Sequence, residues 1–353
     1  MKSGDAKGSF MVVRDGLFGS KGIWGVAKKL IAAREAGMFL VMIALMAVLA
    51  IIAPRFMTLD NLLNVGRQTA LTGIMAVGMG LVMITGNFDL SIGSTYGLSA
   101  LLTALVLVKT GNTALALFLG LMVGFVVGVI NGFLTVKVRM PAFVATFGMM
   151  NVCRGIALIL TLGYPVTLSI EGITSKTNPL FFFLGQGTIF NKVPMQLVFM
   201  AAAMLIVGYI LHRTIWGLHV FAVGGSEKAS FASGINVRMV RFKTFVICGV
   251  GASLAGILNL SFIGGILPIA GQGLEFQVFA AIVIGGTSLS GGEGSILGIL
   301  VGALVLGIIN NGLVLMGVDP FWQILIIGII TISAVAYDTL TWQSRLQRRI
   351  ATK

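Results

Sequence analysis

From Thr244 to Ser344 the chain carries no lysine or arginine. A membrane-crossing helix needs roughly 20 mostly apolar residues at 1.5 Å each, so this stretch alone has room for several crossings. The rest of the chain agrees. Of its 353 residues 57% are hydrophobic and 10% are charged, against about 25% charged in a soluble domain. Mean hydropathy is +1.03. A water-soluble fold cannot hide that much apolar surface, which excludes a soluble enzyme and a secreted disulfide scaffold. The net charge of +13 does not signal nucleic acid, because the basic residues sit in tails and short loops between apolar runs.

Ten apolar runs follow one another: Ala36–Ala53, Thr69–Gly86, Ser94–Val108, Ala114–Val136, Ala142–Leu162, Pro194–Leu211, Thr244–Phe262, a short Phe276–Gly286, Ser295–Met316 and Phe321–Tyr337. Thr58-Leu59-Asp60-Asn61 reads as a helix N-cap opening a short interfacial segment to Gln68. With both termini inside and every run crossing, 18 of the 24 Lys and Arg fall inside and five outside, with Arg154 left in the membrane. That asymmetry selects cytoplasmic termini. The short eighth run makes 263–286 a candidate broken or re-entrant element. The fold class is therefore an all-α polytopic membrane protein with eight to ten transmembrane helices, some broken or re-entrant. Its parts are a basic cytoplasmic N-terminal tail (1–35, with a surface helix near Trp24 to Arg34), a membrane domain (36–338) carrying a cytoplasmic loop at 213–243, and a basic C-terminal tail (339–353). The N-terminal tail is too polar to be a signal peptide. Cys153 and Cys248 lie inside apolar runs and imply no disulfide framework.

Polar residues inside such runs are costly and normally face a cavity or a partner. Asp89 sits at a glycine-flanked break between two runs. It either shapes a permeation path or, with Ser91, caps the helix that follows. Arg154, one turn after Asn151, either lines a hydrated path or snorkels to an interface. Asn131, Asn310 and Asn311 suit helix–helix hydrogen bonding or ligand contact. Gln272 and Glu275 lie in a glycine-rich outer stretch where a substrate or docking protein could touch them. Residues 86–93 and 285–292 share the pattern G-x-x-x-L-S-x-G, either a chance match or an echo of duplicated halves. Gly120, Gly124, Gly128 and Gly132 form a small-residue stripe for close helix packing.

Catalytic signatures are missing from the sequence: no histidine lies within a span, and there is neither H-E-x-x-H nor a phosphate-cradling G-x-x-x-x-G-K-[ST]. An ATP-driven process would need its motor on another polypeptide, and no cofactor is expected on this chain. The 213–243 loop offers a place to meet one. A short helix fits Glu227–Ser233, opened by Gly225-Ser226, with Glu227 near the positive end of its dipole and a left-handed stop at Gly234. A solvated connector is the plainer reading.

Gly86-x-Phe88-Asp89-Leu90-Ser91-x-Gly93, Gly224-Gly225-x-Glu227-x-Ala229 with Ser233-Gly234-Ile235, Gly271-Gln272-Gly273-x-Glu275 and Ile284-Gly285-Gly286-Thr287-Ser288-Leu289-Ser290-Gly291-Gly292 together resemble motifs of ribose-type ATP-binding-cassette permeases. These are membrane subunits of bacterial monosaccharide importers, related to the branched-chain amino acid permeases. The resemblance covers about Ala36 to Asp338. It departs at Asn87, where many relatives carry glycine. It implies an inner-membrane permease for a monosaccharide or polyol, surrounded by lipid. Its partners would be two cytoplasmic ATPase subunits that hold the ATP, a periplasmic sugar-binding protein, and a second permease copy or sister permease. Gly225, Ser226, Glu227, Ala229 and Gly234 would form the segment that couples to the ATPase. A branched-chain amino acid or signalling-molecule permease of the same class is an alternative. An ion-coupled secondary transporter is another, although only Asp89 offers it an intramembrane carboxylate.

Overall fold

The computed structural model describes residues 34–351. Residues 1–33 of the basic tail, and with them most of the expected surface helix near Trp24, lie outside the described residues. The chain runs through α1 (Arg34–Ile52), α2 (Leu59–Ile84), α3 (Ile92–Thr110), α4 (Thr113–Val136), α5 (Ala142–Thr161), β1 (Val166–Thr167), α6 (Pro179–Gln186), β2 (Thr188–Ile189) and β3 (Val193–Pro194). It continues through α7 (Met195–Arg213), α8 (Ile215–Gly225), α9 (Glu227–Ala232), α10 (Val237–Ile263), β4 (Gly265–Ile266), α11 (Leu274–Ile284), α12 (Ile296–Leu315) and α13 (Pro320–Ala351). Among the described residues, α2, α3, α4, α5, α7, α10 and α12 are long and apolar enough to cross a membrane. Shorter apolar helices are Gly37–Ile52, α8, α11 and Phe321–Ser333. Among the described residues, sheet is confined to two antiparallel pairs, β1 with β4 and β2 with β3.

α10 is the axis of the bundle, packed on α4, α2 and α3. The glycine stripe of α4 makes this possible. A Cβ on Gly124 would overlap the Gly249 carbonyl oxygen and Ser253 Oγ, and one on Gly128 would meet the Phe245 carbonyl oxygen at 2.6 Å. With no side chains at these crossings the two backbones close together, as the small-residue stripe predicts. The same central helix carries Phe245, Cys248 and Ala252, all fully buried, and both cysteines are free.

Four differences from the sequence expectation follow. The second run and the interfacial segment before it form one helix, α2, because no residue between Leu59 and Ile84 forbids helix and the polar Arg67 finds a place over the Phe262 ring, 5.4 Å from its centre. Thr58 holds the N-cap position, but its hydroxyl donates to the Arg55 carbonyl and does not cap. The 213–243 loop is mostly helical: Thr214 caps α8 by accepting from Gly217 N, and α10 begins as early as Val237, where Asn236 accepts from Met239 N. At the other end α13 carries helix through most of the expected C-terminal tail.

The break expected within 263–286 is present. Gly264 stops α10 in the left-handed region, β4 pairs with β1, and residues 267–273 fold back into the bundle before α11 begins. Ala270 and Gly271 lie against the backbone of Gly93 and Gly97 in α3, while Gly256 of α10 lies against Tyr96. α11 thus starts level with α10 residue 256, about two turns short of the end of that helix.

Candidate translocation site and coupling segment

Two helices stop and restart in the same way. At the end of α2, Gly86 N donates to the Met83 carbonyl (2.8 Å) and Asn87 N to Val82 (3.1 Å). At the end of α11, Gly286 N donates to Val283 (2.9 Å) and Thr287 N to Ile282 (3.2 Å). Gly86 and Gly286 have φ of +78° and +79°, a region that disfavours any side chain. The sequence echo is therefore an equivalence of backbone, displaced by one residue: Gly86 matches Gly286, where the shared pattern pairs it with Gly285. The two turns also touch. Gly292 N donates to the Ile84 carbonyl at 2.8 Å, and Gly291 packs on Gly86.

Asp89, Ser91 and Asn131 come together beneath the first turn of α3. Asp89 is 1% exposed. Its Oδ1 accepts from Ser91 N at 2.9 Å and from Ser91 Oγ at 2.6 Å. Asn131 Nδ2, on α4, reaches Ser91 Oγ at 2.8 Å and the Asp89 carboxyl at 3.4–3.5 Å. The buried Cys248 of α10 lies beside this carboxyl. Asp89 fixes the start of α3 and ties it to the two helices beside it. Asp89 accepts from the N–H of the N-cap residue itself, and the Ser91 side chain makes no cap hydrogen bond, so the expected side-chain cap of α3 is absent while Asp89 lies in the bundle interior.

A second group forms where α11 begins. Arg154 Nη1 donates to the Ala270 carbonyl at 2.8 Å, and the Glu275 charge acts on it. Glu275 is 5% exposed; its Oε1 accepts from Gly273 N at 3.2 Å, while its Oε2 has no partner. Each restarting helix thus has a buried acidic side chain at its positive end, Asp89 for α3 and Glu275 for α11. Gln272 is exposed beside this group. Asn151 is exposed and bonds only its own helix, at the Phe147 carbonyl.

A cavity of about 220 Å³ lies between α2, α3, α11 and α12. Its polar wall is Gln68, Thr69, Thr72, Tyr96, Gln277 and Asn310. Thr69 is 1% exposed, and its hydroxyl and Asn310 Oδ1 are both buried without a partner. Unpaired buried oxygens are costly unless a ligand or water supplies the donor. Only Asn310 of this wall is among the candidates named from sequence. Thr72 and Gln68 could have been found by their four-residue spacing, which puts both on one face of a helix.

Asn311, the next residue, is placed elsewhere. It exchanges two 2.9 Å hydrogen bonds with Asn61, which also donates to the Phe56 carbonyl. This amide pair locks α12 to the α1–α2 elbow. Asn311→Ala is expected to cost about 1–3 kcal/mol by stranding the Asn61 amide. A lowered melting temperature in detergent, with solute transport by the surviving protein unchanged, is the outcome to look for.

At the other end of the bundle, Ser226 Oγ accepts from Ala229 N to open α9, and Gly234 (φ +81°) closes it with Ile235 N donating to the Ser230 carbonyl. Glu227 pairs with Arg241 of α10 at 2.9 Å. Phe231 projects from α9 with 77% of its surface exposed, an apolar knob that sequence reading did not single out. Beneath this segment, a Cβ on Gly224 would overlap both the Ile84 carbonyl oxygen and Gly292 N. α8 is therefore seated directly on the two touching turns.

The family model described as "Branched-chain amino acid transport system / permease component" matches residues 61–335. The chain is 38% identical over 297 residues to the ribose import permease protein of Escherichia coli, covering 84% of this chain and 91% of that one. It is 40% identical over 314 residues to the ribose import permease protein of Bacillus subtilis (89% and 94%). It is 34% identical over 303 residues to the fructose import permease protein of Rhizobium meliloti (85% and 84%). No solved structure gives a significant match.

Proposed function

Because the chain belongs to the branched-chain amino acid transport system permease-component family, we propose that it is the membrane subunit of an ATP-binding-cassette importer that carries a monosaccharide or related polyol across the inner membrane. The observation that carries this reading is the seat of Gly224 on Ile84 and Gly292. A force applied to α8 and α9 from the cytoplasm meets both helix breaks at once. ATP is bound and hydrolysed on separate ATPase subunits that grip Ser226, Glu227, Ala229, Phe231 and Gly234. A periplasmic sugar-binding protein delivers solute at the other face, and a second permease copy or a sister permease completes the membrane core. Both termini face the cytoplasm. α1, α11 and α13 join the seven long helices as membrane elements, for ten in all, and the lysine and arginine distribution supports this orientation.

The cavity between α2, α3, α11 and α12 is the substrate's station. Its wall offers hydroxyl and amide groups and no charged side chain, which suits a neutral polyhydroxylated solute. Sugar import by the named relatives supports the substrate class. Movement of the breaks shifts the start of α3 with Tyr96, and α11 with Gln277, relative to Asn310 on α12. The cavity is thereby opened to one side or the other.

Radiolabelled ribose uptake by cells expressing the chain with its partner proteins tests this. Uptake should survive an uncoupler while cellular ATP is maintained. Asn310→Ala should raise the half-saturating sugar concentration about tenfold, as for loss of one well-placed hydrogen bond, with ATP hydrolysis retained. Uptake that collapses with the proton gradient at constant ATP would overturn the reading.

A further inference from the structure

Two hollows on the coupling-segment side of the bundle meet at Trp216 and Lys243. The first is a groove of about 380 Å³ between α4, α7, α8 and α10, walled by Phe125, Val129, Ile210, Phe242 and Val246. The second, also about 380 Å³, is the more polar of the two and lies against the end of α9, with His219, Ser233 and Asn236 on its wall beside Ile235, Met239 and Val240. Trp216 and Lys243 line both. Trp216 Nε1 is buried with no partner, and Lys243 is exposed. An indole N–H and a lysine lining both an apolar slot and a hollow of mixed polarity are the arrangement of a membrane–water interface. The apolar slot matches an acyl chain. The donor and the cation match a phosphate.

We propose that the two hollows together seat one anionic phospholipid, its acyl chain in the groove along Val129 and Val246 and its phosphate between Lys243 and Trp216 Nε1. The headgroup then lies against Ser233 and Asn236, at the exit of the segment that receives the ATPase. The leaflet occupied follows the orientation proposed above.

The test uses the full chain with Trp24, Trp322 and Trp342 replaced by phenylalanine, leaving Trp216 as the fluorophore. It is reconstituted in phosphatidylcholine with acyl-brominated phosphatidylglycerol or acyl-brominated phosphatidylcholine. Brominated phosphatidylglycerol should quench saturably, with a midpoint at about fivefold lower mole fraction than brominated phosphatidylcholine, the preference expected of one lysine at an anionic headgroup. Lys243→Ala should abolish that preference and Lys243→Arg should keep it. Native mass spectrometry of the unaltered chain gives an independent reading, in which one phosphatidylglycerol per chain is retained and Lys243→Ala loses it. Equal quenching by both lipids, quenching by neither because protein closes the groove, or a preference that Lys243→Ala leaves intact would overturn the site. Neither readout involves ATP or sugar, so such a failure leaves the importer reading standing.

Discussion

Gly224→Val is expected to abolish sugar-stimulated ATP hydrolysis and uptake by the assembled importer, whereas Gly225→Ala leaves both within about twofold. The contrast between adjacent residues comes from what surrounds them. A Cβ on Gly224 collides with two backbone atoms, the Ile84 carbonyl oxygen and Gly292 N. Backbone cannot rotate away as a side-chain tip can. The 2.8 Å hydrogen bond between Gly292 N and Ile84 is held in the same spot, so relief of the collision must push α8 off the turns or part them. Overpacking alone costs about 1–3 kcal/mol. The expected functional loss is larger, because the displaced surface is the one through which force is proposed to pass. At Gly225 a Cβ meets nothing within 4 Å. ATPase assays with and without sugar-loaded binding protein, run on both variants after matching membrane abundance, decide the matter. A fully stimulated Gly224→Val complex would show that α8 does not transmit the motion.

The second large effect is expected at Asp89. Asp89→Ala removes the acceptor for Ser91 N and Ser91 Oγ and one partner of the Asn131 amide. Ser91 Oγ can turn and Asn131 still has Ser91, but the Ser91 N–H is left buried and unpaired. A cost of about 3 kcal/mol follows, seen as a melting temperature about 5 °C lower or more in detergent. The start of α3 is also released from α4 and α10, so uptake falls further than abundance does. Asp89→Asn is the milder variant. Its oxygen replaces Oδ1 toward Ser91, but its amino group meets the Asn131 amide, so one of the two amides must turn. Ser91→Ala, which loses a hydroxyl and keeps the backbone hydrogen bond to Asp89, should be the mildest of the three. If Asp89→Ala melted and transported like the unmodified chain, the cluster would be dispensable.

Much of this was readable in the chain. Helices such as α4 and α5 are bounded by punctuation that only loops tolerate, and their ends fall within a residue or two of the apolar runs. α9 was legible because its signals are local: a serine cap, an acidic first residue and a glycine stop. α8 was not. Its sequence, Ile215 to Gly225, carries three glycines, and nothing local says that Gly217, Val220 and Val223 are to be buried against the bundle. The Asp89 cluster could be suspected from one unusual carboxyl in an apolar chain, but its partner Asn131 and its neighbour Cys248 lie 42 and 159 residues away along the chain on other helices. Asn310 and Asn311 look alike in sequence. One hundred degrees of helix rotation sends the first to the cavity and the second to Asn61. The cavity itself was hidden because its threonines and glutamines are uncharged and cost little in a span, and because Gln68 falls at what reads as the end of an interfacial segment.

The hydrogen bond from Gly292 to Ile84 has a mechanical meaning of its own. It stitches together the inner corners of two similar hairpins, one from each end of the chain, at the spot where α8 rests. Neither corner can tip without dragging its twin. In the proposed mechanism the gate would behave as a seesaw with a single pivot, so that a passing solute would not find one half ajar while the other stays shut.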